Sequence, residues 1–255
     1  MNYIRRLAGI ALGSLLAFGC FNPDDYDTPP SSTDKISFIS ADVYDKVADG
    51  VDAAEVKVRI SDKASPGRRT VIFKTSSGFF VGGKGDSIAV PAMEDFTAAA
   101  QLKSLIATTA EVTAKILTVE APDSRKVTFK RAYPSEIVVT VDSFAVTSPY
   151  VNKTTLTASL RTENGGKPSI GHPVEFSVRQ PESTSPSSTT IGDFLNNNST
   201  AKTDANGQAI IRYTPGANAQ KGYATVVAST TIATPNNSTA TTGITTSTTT
   251  RIYIK

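Results

Sequence analysis

Apolar and polar residues alternate along much of this chain. Ala54, Val56, Val58 and Ile60 are separated by Glu55, Lys57 and Arg59. The same period of two recurs at Val112–Ile116, Leu156–Leu160, Val174–Val178, Ala209–Tyr213 and Ala224–Ala228, and again at Ile252 and Ile254. Successive side chains of a strand point to opposite faces, so the pattern predicts strands with one buried and one wet face, as antiparallel sheets have. Turn formers separate them, notably Ser65-Pro66-Gly67, Asn164-Gly165-Gly166 and Asp204-Ala205-Asn206-Gly207. Short strands at this spacing predict an all-β chain built of β-sandwiches. One window reads differently. Met93 to Leu105 is the best helix candidate, although its Thr97, Ala98 and Ala99 also fit a strand.

The two halves repeat one unit. Val71-Ile72-Phe73 corresponds to Val174-Glu175-Phe176, and Gly78-Phe79-Phe80 to Gly192-Asp193-Phe194. Ala110–Ala114 corresponds to Ala224–Ala228, and Val127 and Phe129 to Ile252 and Ile254. The Ser/Pro/Thr-rich stretch from Gln180 to Thr190 absorbs the difference in spacing and reads as a surface loop. The boundary falls near Arg131-Ala132-Tyr133-Pro134-Ser135, which gives domains over 35–132 and 133–255. The Thr-rich stretch from Ser229 to Thr250 reads either as a disordered loop or as a long hairpin. The hairpin is preferred, with strands around Tyr223–Ala233 and Ala240–Ile254 that turn at Pro235-Asn236-Asn237.

Thr203-Asp204-Ala205-Asn206-Gly207-Gln208-Ala209, followed by Tyr213, Ala224, Val226 and Ala228, resembles the bacterial Ig-like repeats of the invasin and intimin type (Big-1). So does Asn164-Gly165-Gly166-Lys167-Pro168 leading to Val174-Glu175-Phe176-Ser177. The resemblance implies two tandem Ig-like antiparallel β-sandwiches and a stalk or binding role. Fewer positions match in residues 35–131, where Ala92-Met93-Glu94-Asp95 takes the place of the Asp-x-x-Gly turn.

The chain's only cysteine, Cys20, follows a 13-residue apolar run from Leu7 to Gly19 that is preceded by Arg5 and Arg6. A basic start, a short apolar run and small residues at its end are the pattern of a secretory signal peptide, and the run is too short to span a bilayer. Leu15-Leu16-Ala17-Phe18-Gly19-Cys20 resembles the lipobox of bacterial lipoproteins. The resemblance implies removal of residues 1–19 and lipid attachment at Cys20, so that the chain meets a membrane through its acylated end. Residues 20–34 read as an extended tether, in which Asp24, Asp25 and Asp27 resemble an outer-face export signal or are simply solvated. The expected location is the outer membrane of a Gram-negative cell, on the surface or the periplasmic face.

Charge and composition narrow the chemistry. The net charge of +3, less Arg5 and Arg6, leaves +1 on the mature body, which is no footprint for nucleic acid. No second cysteine exists, so stability rests on the cores. His172 is the only histidine, which excludes a two-histidine zinc site, and Gly171-His172-Pro173 reads as a loop rather than part of a catalytic triad. Val81-Gly82-Gly83-Lys84-Gly85-Asp86 lacks the spacing of a phosphate loop and reads as a hairpin turn. Asp42, Asp45, Asp49 and Asp52 fall in one loop, where calcium and plain solvation are the two readings. The sequons at Asn152 and Asn237 carry little meaning in a bacterium. No catalytic residue, cofactor or metal is expected. The expected role is a non-enzymatic module for adhesion or for binding a protein or glycan. The alternatives are an accessory subunit of an envelope uptake or secretion complex, or a carbohydrate-binding module.

Overall fold

A computed structural model of the chain describes residues 35–147, 152–179, 191–217, 219–232 and 244–255. Nineteen strands are present among them, and no α-helix. The first ten are β1 (Ile36–Phe38), β2 (Val43–Val47), β3 (Ala54–Ile60), β4 (Thr70–Thr75), β5 (Phe79–Phe80), β6 (Ser87–Pro91), β7 (Thr97–Lys103), β8 (Thr108–Ile116), β9 (Val119–Glu120) and β10 (Arg125–Lys130). They form one sheet in the order β1-β3-β7-β5 and another in the order β2-β10-β8-β4-β6, with β9 added on β8.

The remaining strands are β11 (Glu136–Val141), β12 (Ala145–Val146), β13 (Thr154–Arg161), β14 (Pro173–Arg179), β15 (Asp193–Phe194), β16 (Thr200–Lys202), β17 (Gln208–Thr214), β18 (Gly222–Ile232) and β19 (Ile244–Ile254). Their sheets run β11-β13-β17-β15 and β12-β19-β18-β14-β16, which repeats the first pair strand for strand except for β9. The matched sequence segments therefore occupy matched strands, β4 with β14, β5 with β15, β8 with β18 and β10 with β19.

Each sandwich closes on its own core, because alternation turns every second side chain inward. Val56, Val58, Phe73, Leu102, Val112 and Phe129 fill the first, and Leu156, Phe176, Tyr213, Val226 and Ile252 the second. The helix candidate over 93–105 is corrected to a strand. Ala98, Ala100 and Leu102 of β7 are buried while Gln101 is exposed, and β7 pairs with β3 from Ala54↔Leu102 to Arg59↔Thr97. A place between β3 and β5 overrides the helical propensity of three alanines. The Thr-rich stretch is a hairpin, with β18 and β19 paired from Gly222↔Ile254 to Ile232↔Ile244. Its expected turn at Pro235-Asn236-Asn237 lies outside the described residues.

The turn before β17 shows why the Asp-x-x-Gly pattern is written as it is. The Asp204 carboxylate accepts the N–H groups of Asn206 (2.8 Å) and Gln208 (2.9 Å). Gly207 has φ +74, and a Cβ there would lie 2.9 Å from the Leu160 carbonyl. The backbone closes this turn through Asp204 N–H to the Gln208 carbonyl and Gly207 N–H to the Asp204 carbonyl, and the first sandwich repeats both closures with Met93 N–H to the Thr97 carbonyl and Phe96 N–H to the Met93 carbonyl. Phe96 holds the left-handed backbone (φ 61) that Gly207 holds in the second, and the Arg69 guanidinium sits 4.9 Å from its ring centre.

Candidate functional site

The loop that leads into β14 joins the two sandwiches. Lys167 N–H donates to the Asp49 carbonyl (2.9 Å), Ser169 Oγ to the Ala48 carbonyl (3.1 Å) and Ile170 N–H to the Leu105 carbonyl (2.9 Å). Gly166 makes the approach possible, since a Cβ there would fall 2.8 Å from the Asp49 carbonyl oxygen. Ser169 Oγ also accepts the Ala132 N–H (2.8 Å), which ties the linker to both bodies. Buried polar atoms stay in a protein when they are partnered, and these are. Asn164-Gly165-Gly166, read from the sequence as a turn, thus leads straight into a clamp at Lys167, Ser169 and Ile170.

His172 lies in the loop just before β14, as the sequence predicts, and is buried there at 1% exposure. Its Nε2 lies 2.8 Å from Thr230 Oγ1, whose single proton goes to the Pro173 carbonyl (2.7 Å). Nε2 must therefore be the donor, and Nδ1 is left bare and buried without a partner. Burial, helped by the charge of Arg131, pushes the imidazole pKa down to about 4, with the Thr231 backbone acting in the opposite sense. Tyr133 packs edge-on at 5.8 Å. Among the described residues no serine or carboxylate is hydrogen-bonded to the ring, and the residue is built into the structure as a neutral group.

The four aspartates do not converge. The Asp49 carboxylate is spent on the N–H groups of Val51 and Asp52 (2.7 Å each), and Asp52 accepts Val47 N–H and pairs with Lys46 at 3.1 Å. Asp42 accepts Lys126 N–H and the Tyr44 hydroxyl, contacts that hold its carboxyl below the usual range. Among the described residues no group of three or more His, Cys, Asp or Glu could hold a metal ion. The single loop expected for Asp42, Asp45, Asp49 and Asp52 is corrected: Asp45 lies within β2, which separates Asp42 from Asp49 and Asp52, and the carboxylates of these three are held by the hydrogen bonds above rather than gathered for calcium. Val81–Asp86, expected as a hairpin turn, is corrected to a turn between sheets: β5 pairs with β7 and β6 with β4, and the crossing is closed by Phe80 N–H to the Gly85 carbonyl (3.0 Å) and by a Lys84–Ser87 bridge. Cys20 lies outside the described residues, as does Asn237. No helix among the described residues is long and apolar enough to cross a membrane.

Two surface features remain. An open groove of about 800 Å³ lies at the end of the first sandwich where the chain enters, floored by Ile36, Ile60, Phe96 and Val119. The second sandwich carries exposed aromatics at its far end: Phe144 at 68%, Tyr223 at 60% and Tyr253 at 41%. Sequence reasoning did not single out the two tyrosines. The signal was there, because they alternate with buried Ala224, Ile252 and Ile254 and so had to face outward. Their being side by side depends on register.

Its fold is similar to that of invasin. The solved structure of invasin, a bacterial integrin-binding protein, matches with a TM-score of 0.50 at 15% identity, over 87% of this chain and 39% of that one. The Yersinia pseudotuberculosis adhesin InvE matches over 88% of this chain and 59% of its own, at 16% identity and a TM-score of 0.47. The D0-D1 domain of intimin matches over 86% and 97%, at 19% identity and a TM-score of 0.30. At such identities the likeness to invasin is one of fold, and this chain spans well under two thirds of invasin's and InvE's length. No protein-family model and no curated protein matches it. Its architecture is that of Ig-like β-sandwiches.

Proposed function

We propose that this chain is a lipid-anchored, non-enzymatic binding module of the bacterial cell envelope, a short two-sandwich stalk that presents its far end to a protein or glycan partner. The observation that carries the reading is the clamp between the sandwiches. Lys167, Ser169 and Ile170 each bond the preceding sandwich, and Gly166 lets the backbones meet. A joint held this way resists bending, which suits a spacer. Asp42, Asp49 and Asp52 are engaged by internal hydrogen bonds, and His172 is buried with no serine or carboxylate bonded to its ring among the described residues. Cys20 supplies the anchor and residues 21–34 the tether. One acyl chain binds a membrane only marginally, whereas two or more hold it stably.

The test is labelled palmitate uptake in wild type and Cys20→Ser, together with protease shaving of intact cells and an adherence assay. Label lost in the variant, shaving of wild type and loss of adherence on deletion are the expected results. Label without shaving places the body in the periplasm and favours a subunit of an envelope complex. No label in wild type refutes the anchor.

A further inference from the structure

The outer face of the β12-β19-β18-β14-β16 sheet is not the same as its counterpart in the first sandwich. Tyr223 and Tyr253 face each other across β18 and β19, with ring centres 5.2 Å apart and planes at 71°. One rung inward, Arg179, Thr225 and Arg251 lie in a row across β14, β18 and β19. All three point away from the core, since Val178, Val226 and Ile252 beside them are buried. Two strand spacings separate the arginines, about 9.6 Å at the backbone. Neither has an ion pair among the described residues.

The first sandwich provides an internal control. Its equivalent rung is Thr109 and Thr128, joined by a hydroxyl hydrogen bond of 3.0 Å. Its equivalent row holds Glu111 opposite Lys126, a balanced pair of charges. The fold therefore needs neither aromatics at the first rung nor unbalanced cations at the second. In the second sandwich both changes occur side by side, at the end remote from the clamp.

We infer that this Tyr–Arg face binds an acidic polysaccharide. An exposed tyrosine ring offers its electron-rich face to the C–H face of a sugar, and its hydroxyl stays wet. Each guanidinium presents a planar fork that matches a carboxylate in two hydrogen bonds. Thr225 and Thr249 add hydroxyls between and beside them. The face is solvent-exposed along several rungs, which suits a polymer lying across the strands more than a small molecule. This inference rests on the binding-module reading and gives it a partner class.

The test uses the mature chain with Cys20→Ser and measures binding to polygalacturonate and hyaluronate, with dextran as the neutral polymer and duplex DNA as the anionic one. Wild type is expected to bind the two carboxylated polymers, more weakly as salt rises, and to bind dextran and DNA at least tenfold less. Tyr223→Thr with Tyr253→Thr installs the residues of the first sandwich, and should cost at least tenfold in affinity with little change in Tm. Arg179→Gln with Arg251→Gln touches only exposed charges, should fold regardless, and should remove the preference for acidic polymers. Equal binding to DNA, no binding to either carboxylated polymer, or unchanged binding by both double variants overturns the inference. Cells that display the double variants and still adhere would refute this face while leaving the binding module intact. Cells that do not adhere even with wild type would refute both.

Discussion

His172 allows a quantitative test, because it is the only histidine in the chain. Its ring is buried as the neutral form, with Nε2 donating to Thr230 and Nδ1 facing no partner. A proton added to the ring would be a buried charge, which burial disfavours more than the Thr231 backbone favours it. The pKa is accordingly pushed down to about 4 from 6.5. Between these values the unfolded chain binds a proton that the folded chain does not, so stability falls as pH drops through that window and is fully present above 6.5. At 1.36 kcal/mol per unit, the loss between pH 7 and pH 4.5 from this one group is about 2.5 kcal/mol. That is a large share of the 5–15 kcal/mol typical of a domain. The assay is urea denaturation at both pH values for wild type and His172→Gln, which can still donate to Thr230 but does not titrate. Asp142 and Asp204, whose carboxyls are held low by hydrogen bonds, titrate alike in both proteins and cancel. Wild type should lose about 2.5 kcal/mol more than the variant. The proton resonance of the single imidazole should move with a midpoint near pH 4. An equal pH dependence in both proteins, or a midpoint near 6.5, would refute the argument.

Three further outcomes follow from the packing. Gly207→Ala forces a left-handed backbone on alanine and sets its Cβ against the Leu160 carbonyl, so it should destabilise the second sandwich by about 2 kcal/mol in denaturant titration. Gly166→Ala drives a methyl group into the Asp49 carbonyl across the joint without entering either core; small-angle scattering should show a wider range of shapes, while the Tm of the main transition changes little. Tyr213→Phe strands the Ile191 carbonyl that the hydroxyl now satisfies, and should cost about 1–2 kcal/mol in the same titration.

Strands and repeat were readable because a half-buried sheet writes its period directly into the chain. Val56, Val58 and Ile60 of β3 and Val174, Phe176 and Val178 of β14 are buried as their alternation requires. Short edge strands such as β12 and β16 were not readable, since two or three residues carry no period and exist as strands only through their partners. His172 was readable as a loop residue between Gly171 and Pro173, but its burial was not. Nothing local announces that Thr230, 58 residues on, will cover it. The joint was hidden for the same reason: Gly166 reads as a turn glycine until Asp49 is brought against it. Outward-facing Tyr223 and Tyr253 could be deduced from parity, and their pairing required the register of β18 on β19.

In both sandwiches a strand near the start of the unit lies parallel to the strand that ends it, β2 beside β10 and β12 beside β19. A pull applied between Lys35 and Lys255 drags such neighbours past each other along their length. Every hydrogen bond in the pair is then loaded together, whereas an antiparallel hairpin pulled at its open end gives way one rung at a time. Mechanical strength under tension is therefore set by Val43, Val47, Ala145 and Val146 and the strands they lie against. Detachment under flow would be governed by these few rungs, and a proline placed in β2 would weaken the tether far more in a force spectrometer than in a melting curve.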